Sequence, residues 1–298
     1  MKKKFKKGIG RESLICYAVM FFAATICLVP ILMVLSTSFT SNKYVTLHGY
    51  TMFPIEPTVD TYIFLMGNKL RTILRAYGVS FTCTIVGTII SVVLVTLYAY
   101  SVAQPKDEFR FAQSLSFIAW FTTIFSGGVL PWYIVCISLG LKNNIWAWIV
   151  PGAFSAFYMF ILKNNFKAVP KELIESAKLD GASHLRIFVN VAIPLSRSGI
   201  TTVTIFSALA HWNNFSNGKY LITKSKLYNV QQLLNSLMSS TQALLSNPSL
   251  EGTLANVELP THTVKAAVTC ISLAPIVIIY PFCLKYFVKG INVGAVKG

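Results

Sequence analysis

The chain has 298 residues, 54% of them hydrophobic and only 12% charged, with a mean hydropathy of +0.60. That make-up excludes an ordinary soluble domain and indicates an all-α, polytopic membrane protein. The 26 basic and 10 acidic residues leave a formal charge of +16, which in so apolar a chain points to loops held against anionic lipid, not to nucleic acid.

None of the six cysteines (Cys16, Cys27, Cys83, Cys136, Cys270 and Cys283) forms a Cys-x-x-Cys pair. Neither a disulfide framework nor a zinc site is therefore indicated, and they read as small packing residues. Residues 1–13 form a basic terminus carrying Lys2, Lys3, Lys4, Lys6, Lys7 and Arg11. The apolar run 14–35 is too long for the core of a signal peptide and reads as the first span, with Pro30 expected to bend it. Cleavage at the Ser-Thr-Ser of 36–38 is the alternative. Residues 39–75 are polar and turn-rich, with Pro54 and Pro57, and read as an extracellular loop holding a short helix around 59–66.

Span two is expected at 76–103, and a charged turn at 104–110 leads into span three at 112–139. Ser126, Gly127, Gly128 and Pro131 should interrupt that span. Lys142, Asn143 and Asn144 turn the chain into span four, 145–162. Span five follows at 198–213, short if Pro194 marks its entry. A second extracellular loop, 214–263, contains an amphipathic piece at 230–238, and span six runs over 264–286. The transmembrane domain is thus 14–286, followed by a small basic tail, 287–298. Six spans put both termini on one side. The segments assigned to the cytoplasm hold 17 of the 26 basic residues, the sign that the positive-inside rule requires.

What is missing constrains the mechanism. The central parts of spans two to five carry no Asp, Glu, Lys or Arg, whereas an ion-coupled carrier needs such groups at membrane depth. No phosphate-binding Gly-x-x-x-x-Gly-Lys-Ser/Thr loop is present, because Gly218-Lys219 is followed by Tyr220. His48, His184 and His262 are isolated, without metal-ligand spacing. A transport-shaped body with neither ion coupling nor nucleotide binding must borrow its energy or work passively.

The longest strongly polar interval between two membrane-length apolar segments on the basic side of the protein, residues 170–194, offers a way to borrow it. Pro170 suits the first position of a helix, where its missing N–H costs nothing. Glu172 and Glu175 lie early and Lys178 late, as the helix dipole favours, and Gly181 supplies a left-handed stop. A rod of about 16 Å is too short to cross a bilayer but can lie along its surface.

Glu175-Ser176-Ala177, three residues, Gly181, nine residues, Val191-Ala192-Ile193-Pro194 resembles the Glu-Ala-Ala coupling motif of ABC importer permeases, with Ser176, Val191 and Ile193 as size-conserving departures. Asp180-Gly181-Ala182 and the tail from Tyr280 to Gly290 resemble the carbohydrate-specific, maltose-type branch. The resemblance implies the type I importer permease fold of six transmembrane helices with a cytoplasmic coupling helix over 170–181. It also implies a plasma-membrane complex with a second related permease, two ATP-binding subunits and an extracellular sugar-binding protein. In that complex Pro170, Glu172, Glu175, Ser176, Ala177, Leu179, Asp180, Gly181, Val191, Ile193 and Pro194 would serve ATPase coupling. Ser176 and Ala177 would let the helix approach closely, and Glu175 would pair with a base on the ATPase. This chain would bind no cofactor, ATP and Mg residing on the partner subunits, and would not be an enzyme.

His211, Trp212, Asn213, Asn214 and Phe215, closing span five, combine rings and amides of the kind that hold sugars. Tyr158, Phe157, Trp132 and Tyr133 are further candidates for a substrate path. An interfacial belt or plain packing accounts for all of them equally. An oligosaccharide is the substrate the branch implies; a polyanion or polyamine importer and a passive channel are the alternatives.

Overall fold

The structure, a computed structural model, describes residues 11–245 and 262–278. The basic residues 2–7, the stretch 246–261, Cys283, the end of span six and the tail with its 280–290 motif lie outside the described residues. The chain divides into two units, one comprising the residues up to Leu70 with Leu237–Ala274, the other Arg71–Ser236 with the residues from Pro275 on.

In the first unit, α1 (Arg11–Ser38) continues as a helix past Pro30, and buried hydroxyls at Ser36, Thr37, Ser38 and Thr40 gather at its end. Three of these are satisfied locally: Thr37 donates to the Met33 carbonyl, Ser38 to that of Leu35 and Thr40 to that of Ser36, as hydroxyls in a helix do when no water is near, whereas the Ser36 hydroxyl has no partner among the described residues. Tyr62 donates to Ser38 at 2.9 Å. After α2 (Asn42–His48) the chain returns through a bridge between Thr40 and Pro57. Thr61 donates to Thr263 at 3.1 Å, joining the start of α3 (Asp60–Ala103) to α13 (His262–Ile278), and the Tyr50 hydroxyl meets His262 Nδ1 at 3.1 Å.

The loop expected over 39–75 is shorter than that. Helix α3 (Asp60–Ala103) is unbroken for 44 residues, so the short helix expected near 59–66 is the start of span two. Nothing between 60 and 75 breaks a helix, and the Thr58 hydroxyl accepts the Asp60 N–H at its mouth. At about 1.5 Å per residue the helix is roughly 66 Å long, about twice a hydrocarbon core.

The second unit is built on the remainder of α3. Span three is broken where Ser126, Gly127 and Gly128 stand, into α4 (Ala112–Ile124) and α5 (Val129–Ser138). Pro131 is tolerated in the first turn of α5, where its N–H would have had no partner. Span four starts later than expected. Residues 145–152 form two 3-10 turns, Ile145–Trp148 and Val150–Gly152, and the α-helix proper is α6 (Ala156–Lys167), bent 48° from them. After α7 (Lys171–Leu179) comes α8 (His184–Ile187), then a π turn over Phe188–Ala192, α9 (Ile193–Leu195) and α10 (Arg197–Trp212). Pro194 is therefore embedded in this course and does not begin it. The wider π turn accommodates a ring that would collide with the carbonyl one turn back.

The 214–263 interval is also more helical than a loop, with α11 (Ser216–Leu221) and α12 (Val230–Leu245). Among the described residues two helices, Ser13–Ser38 and Leu70–Ala103, are long and apolar enough to span a membrane alone, and three if the bent pair counts as one.

Two apolar clusters fill this unit. One joins Val95, Ala99 and Val102 of α3 to Met159, Leu162 and Phe166 of α6, Phe188 and Ala192 of the π turn, and Val203. The other packs Cys83 against Cys136, Leu141, Trp148, Leu221 and Ile222. Both have large residues at under 2% exposure, Met159 and Leu162 in the first, Trp148 and Leu221 in the second.

Candidate functional site

Helix α7 is closed at both ends by local bonds. Pro170, at φ −57° and ψ 130°, is the residue just before the helix and not its first member. Glu172 occupies the first turn and Lys178 the last, each on the favourable end of the dipole. Asp180 caps the C-terminus. Gly181 then turns left-handed, at φ +75°, which a residue with a Cβ adopts only at a cost. Its N–H reaches the Lys178 carbonyl at 3.0 Å, and the Ala182 N–H reaches that of Ala177 at 2.9 Å. These two bonds define a Schellman stop. The Ser183 hydroxyl accepts from the Arg186 N–H and starts α8.

No residue of α7 is buried. Lys171, Ile174, Glu175 and Lys178, at intervals that share one helix face, border a cavity. The remaining surface bears Leu173, Ser176 and Leu179, and Leu179 is 91% exposed. Glu175 is accessible but on the cavity side. Lys178 is held by Glu108, from the 104–110 turn, at 2.5 Å. Ala177 is half-buried.

The far half of the motif does not share this surface. Ala192 is 1% exposed in the apolar cluster, and Ile193 packs on that cluster. Val191 is half-buried, and Pro194 is exposed at the end of the π turn. The 170–194 stretch is thus a bare helix followed by its anchor in the span that follows.

The sequence of the region matches a family of known proteins. The model of the binding-protein-dependent transport system inner membrane component matches residues 109–293, well over half of the chain. The chain belongs to this family of ABC importer permeases. A polygalacturonan/rhamnogalacturonan transport system permease protein, YtcP, of Bacillus subtilis (strain 168) is 33% identical over 96% of this chain and 98% of its own. Protein LplC of the same organism is 34% identical over 92% of this chain and 90% of its own. Among solved structures, a bacterial ABC transporter involved in import of the acidic polysaccharide alginate superposes with a TM-score of 0.79 and 25% identity, covering 96% of this chain and all of that one. The permease is therefore a membrane component of a binding-protein-dependent ABC importer. It is not itself an enzyme; the ATPase is a separate subunit, and a substrate-binding protein completes the system.

The permease places the residues closing span five in mixed settings. His211 and Trp212 are each 6% exposed. The His211 ring lies against Gly87 of α3, where even a methyl group would overlap it, and near Gly152. Its Nδ1 faces the Ser207 carbonyl at 2.9 Å. Trp212 packs edge-on against Phe81, centroids 5.2 Å apart. The Asn214 carbonyl accepts from Asn229, and its side chain accepts the Asn217 N–H. Asn213 and Phe215 are exposed. Tyr158, on α6, is half-buried and stacks with Phe206. Phe157 beside it is 62% exposed. Gly87 was invisible to sequence reasoning, since a glycine inside an apolar run signals a close approach without naming what approaches.

Proposed function

We propose that this chain is one of two related permeases in a six-span-per-subunit importer, and that α7 is the handle through which two cytoplasmic ATPase subunits, carrying ATP and Mg, drive alternating access. The observation that carries this reading is the construction of α7: sealed at both ends by its own bonds, yet with no buried residue and with Leu179 bare. A lone amphipathic helix of nine residues has little stability by itself, and an exposed leucine on it gains roughly 1.5–3 kcal/mol if a partner covers it. Ser176 on the outward face permits close approach, and a basic side chain of the ATPase would reach Glu175 at the cavity mouth. Closure of the ATPase pair would pull Lys171–Leu179 as one body and re-pack the spans anchored at Phe188–Ala192.

The excess of Lys and Arg in the α7-side loops supports a cytoplasmic position for both termini. The most apolar window of α1 has none of its residues buried, and lipid together with a second permease is the cover we assign to it. The substrate is an oligosaccharide, and we favour one bearing carboxylates. The polygalacturonan/rhamnogalacturonan and alginate systems are similar to this chain. Exposed Lys142, Lys219, Lys224 and Lys226 cluster at the end of the second unit opposite α7, with no Asp or Glu between Glu108 and Glu172 or between Asp180 and Glu251. Asn213 and Phe215 are the accessible members of the proposed sugar path.

The test is reconstitution of the complex with Glu175→Lys or Gly181→Val. Uptake should fall at least tenfold while ATP hydrolysis persists, and a labelled oligogalacturonate should be preferred over a neutral oligosaccharide of equal length. Undiminished uptake in both variants overturns the handle, and equal uptake of the neutral sugar overturns the substrate class.

A further inference from the structure

Behind α7 is a cavity of about 570 Å³, walled by the 104–108 turn, the start of α4, the end of α6 and the inner face of α7. Small-molecule sites fall in roughly the 300–1,000 Å³ range. Five lysines border the cavity (Lys106, Lys163, Lys167, Lys171 and Lys178) against two carboxylates, Glu108 and Glu175. Lys178 and Glu108 satisfy one another. Four ammonium groups are left facing one carboxylate.

Positive-inside bias explains lysines at the ends of spans, with flexible stems free to carry the charge outward. It does not explain why these lysines line one hollow. Lys163 donates to the Ser116 hydroxyl of α4 at 2.7 Å and lies 5.7 Å from the centre of the Phe160 ring. Lys167 follows one turn later on the same face of α6, and Lys171 opens the cavity face of α7. Ammonium groups bordering one hollow repel one another, and a compact multivalent anion removes that repulsion more effectively than scattered counter-ions. The wall also offers the Gln113 amide, a neutral donor for oxygens that the lysines leave unpaired.

We propose that this cavity binds a phosphate-bearing ligand whose oxygens bridge Lys163 and Lys167 on α6 to Lys171 on α7. The phosphate could belong to an anionic phospholipid headgroup or to a soluble phosphomonoester. Either would tie the handle to the span before it and so regulate how freely α7 moves. The proposal rests on the coupling reading only for that consequence; the binding itself does not.

The experiment is native mass spectrometry of the purified full-length complex, without nucleotide, after exposure to phosphatidylglycerol, phosphatidylcholine or glycerol 3-phosphate. Phosphatidylglycerol adducts should exceed phosphatidylcholine adducts and fall at least about fivefold in Lys163→Gln/Lys167→Gln. They should be unchanged in Arg71→Gln/Arg75→Gln, a matched exposed basic pair one turn apart near the other end of α3. Lysine-dependent capture of glycerol 3-phosphate assigns a soluble ligand, and capture of the lipid alone assigns the membrane. Should the first variant fail to assemble, Lys167→Gln/Lys171→Gln, both exposed, carries the same expectation, and Lys163→Arg should retain binding. Equal adducts for both lipids without capture of glycerol 3-phosphate, or equal loss in the lysine and arginine pairs, overturns the site. Because binding is read without hydrolysis or uptake, its failure leaves the transport reading standing, and the reverse holds as well.

Discussion

The two ends of the second unit, about 30 Å apart along α3, are secured in opposite ways. At the end remote from α7, side chains are wired to backbone across long stretches of sequence. Asn143 accepts from the Thr223 and Lys224 N–H groups at 2.8 and 3.1 Å. The Trp148 indole donates to the Leu227 carbonyl, Asn217 to that of Ala147, and Ser80 accepts from Val230. At the α7 end, the helix is closed on itself by bonds between near neighbours, none of its residues is buried, and Lys178 joins it to Glu108 through a solvent-accessible ion pair beside a cavity. Local closure makes α7 stiff, and sparse attachment leaves it movable. On the coupling role proposed for α7, the difference is that between a fixed frame and a lever.

Four substitutions would break or sharpen this contrast. The largest effect belongs to Gly87→Leu, which drives a side chain into the buried His211 ring. Overpacking of this kind costs about 1–3 kcal/mol, so the melting temperature of the complex should fall by several degrees and uptake should collapse. Adding His211→Ala should restore part of both; no restoration would place the fault elsewhere.

Leu179→Asp should cut uptake about tenfold while leaving the melting temperature of the permease without its ATPase subunits unchanged, because the residue is 91% exposed on this chain and exposed sites contribute little to folding. A thermal loss matching that of a frame variant would erase the distinction between the two ends.

In the frame, Asn229→Ala removes both the cap on the Gln232 N–H and the bond to the Asn214 carbonyl. About 1–2 kcal/mol of stability should go, read in the same thermal scan, with uptake per folded complex preserved. The smallest effect is expected from Lys178→Ala. Its pair with Glu108 is 35% and 26% exposed, and pairs so open to solvent contribute 1 kcal/mol or less. A shift of more than about two degrees would show that α7 is fastened more firmly than its contacts indicate.

Legibility in the sequence follows the same division. The α7 helix could be read directly, with Glu172 early, Lys178 late and Gly181 as its stop, because capping depends on residues within one turn. The interruption at 126–128 was legible for the same reason. The length of α3 was not. Residues 60–75 look like loop because they are polar, yet polarity does not end a helix in the absence of Pro or a competing turn. The 3-10 start of span four was hidden too: Ile145–Trp148 is as apolar as the helix after it, and the bend depends on Asn144 accepting the Trp146 N–H and on Pro151. His211 and Trp212 read as candidates for a substrate path or an interfacial belt at the end of span five, and they are buried because Gly87 admits the imidazole and Phe81 packs on the indole.

By itself, the sequence determined that this protein lives in a membrane, that it has no motor of its own, and where a short capped helix interrupts the apolar run. Those properties follow from composition and from interactions a few residues long. Tertiary structure alone decided which face of that helix looks outward, that Glu175 and five lysines border one cavity, and which aromatic residues are packed away. Each depends on side chains brought together from distant parts of the chain, and the number of such arrangements compatible with one hydrophobic pattern is large.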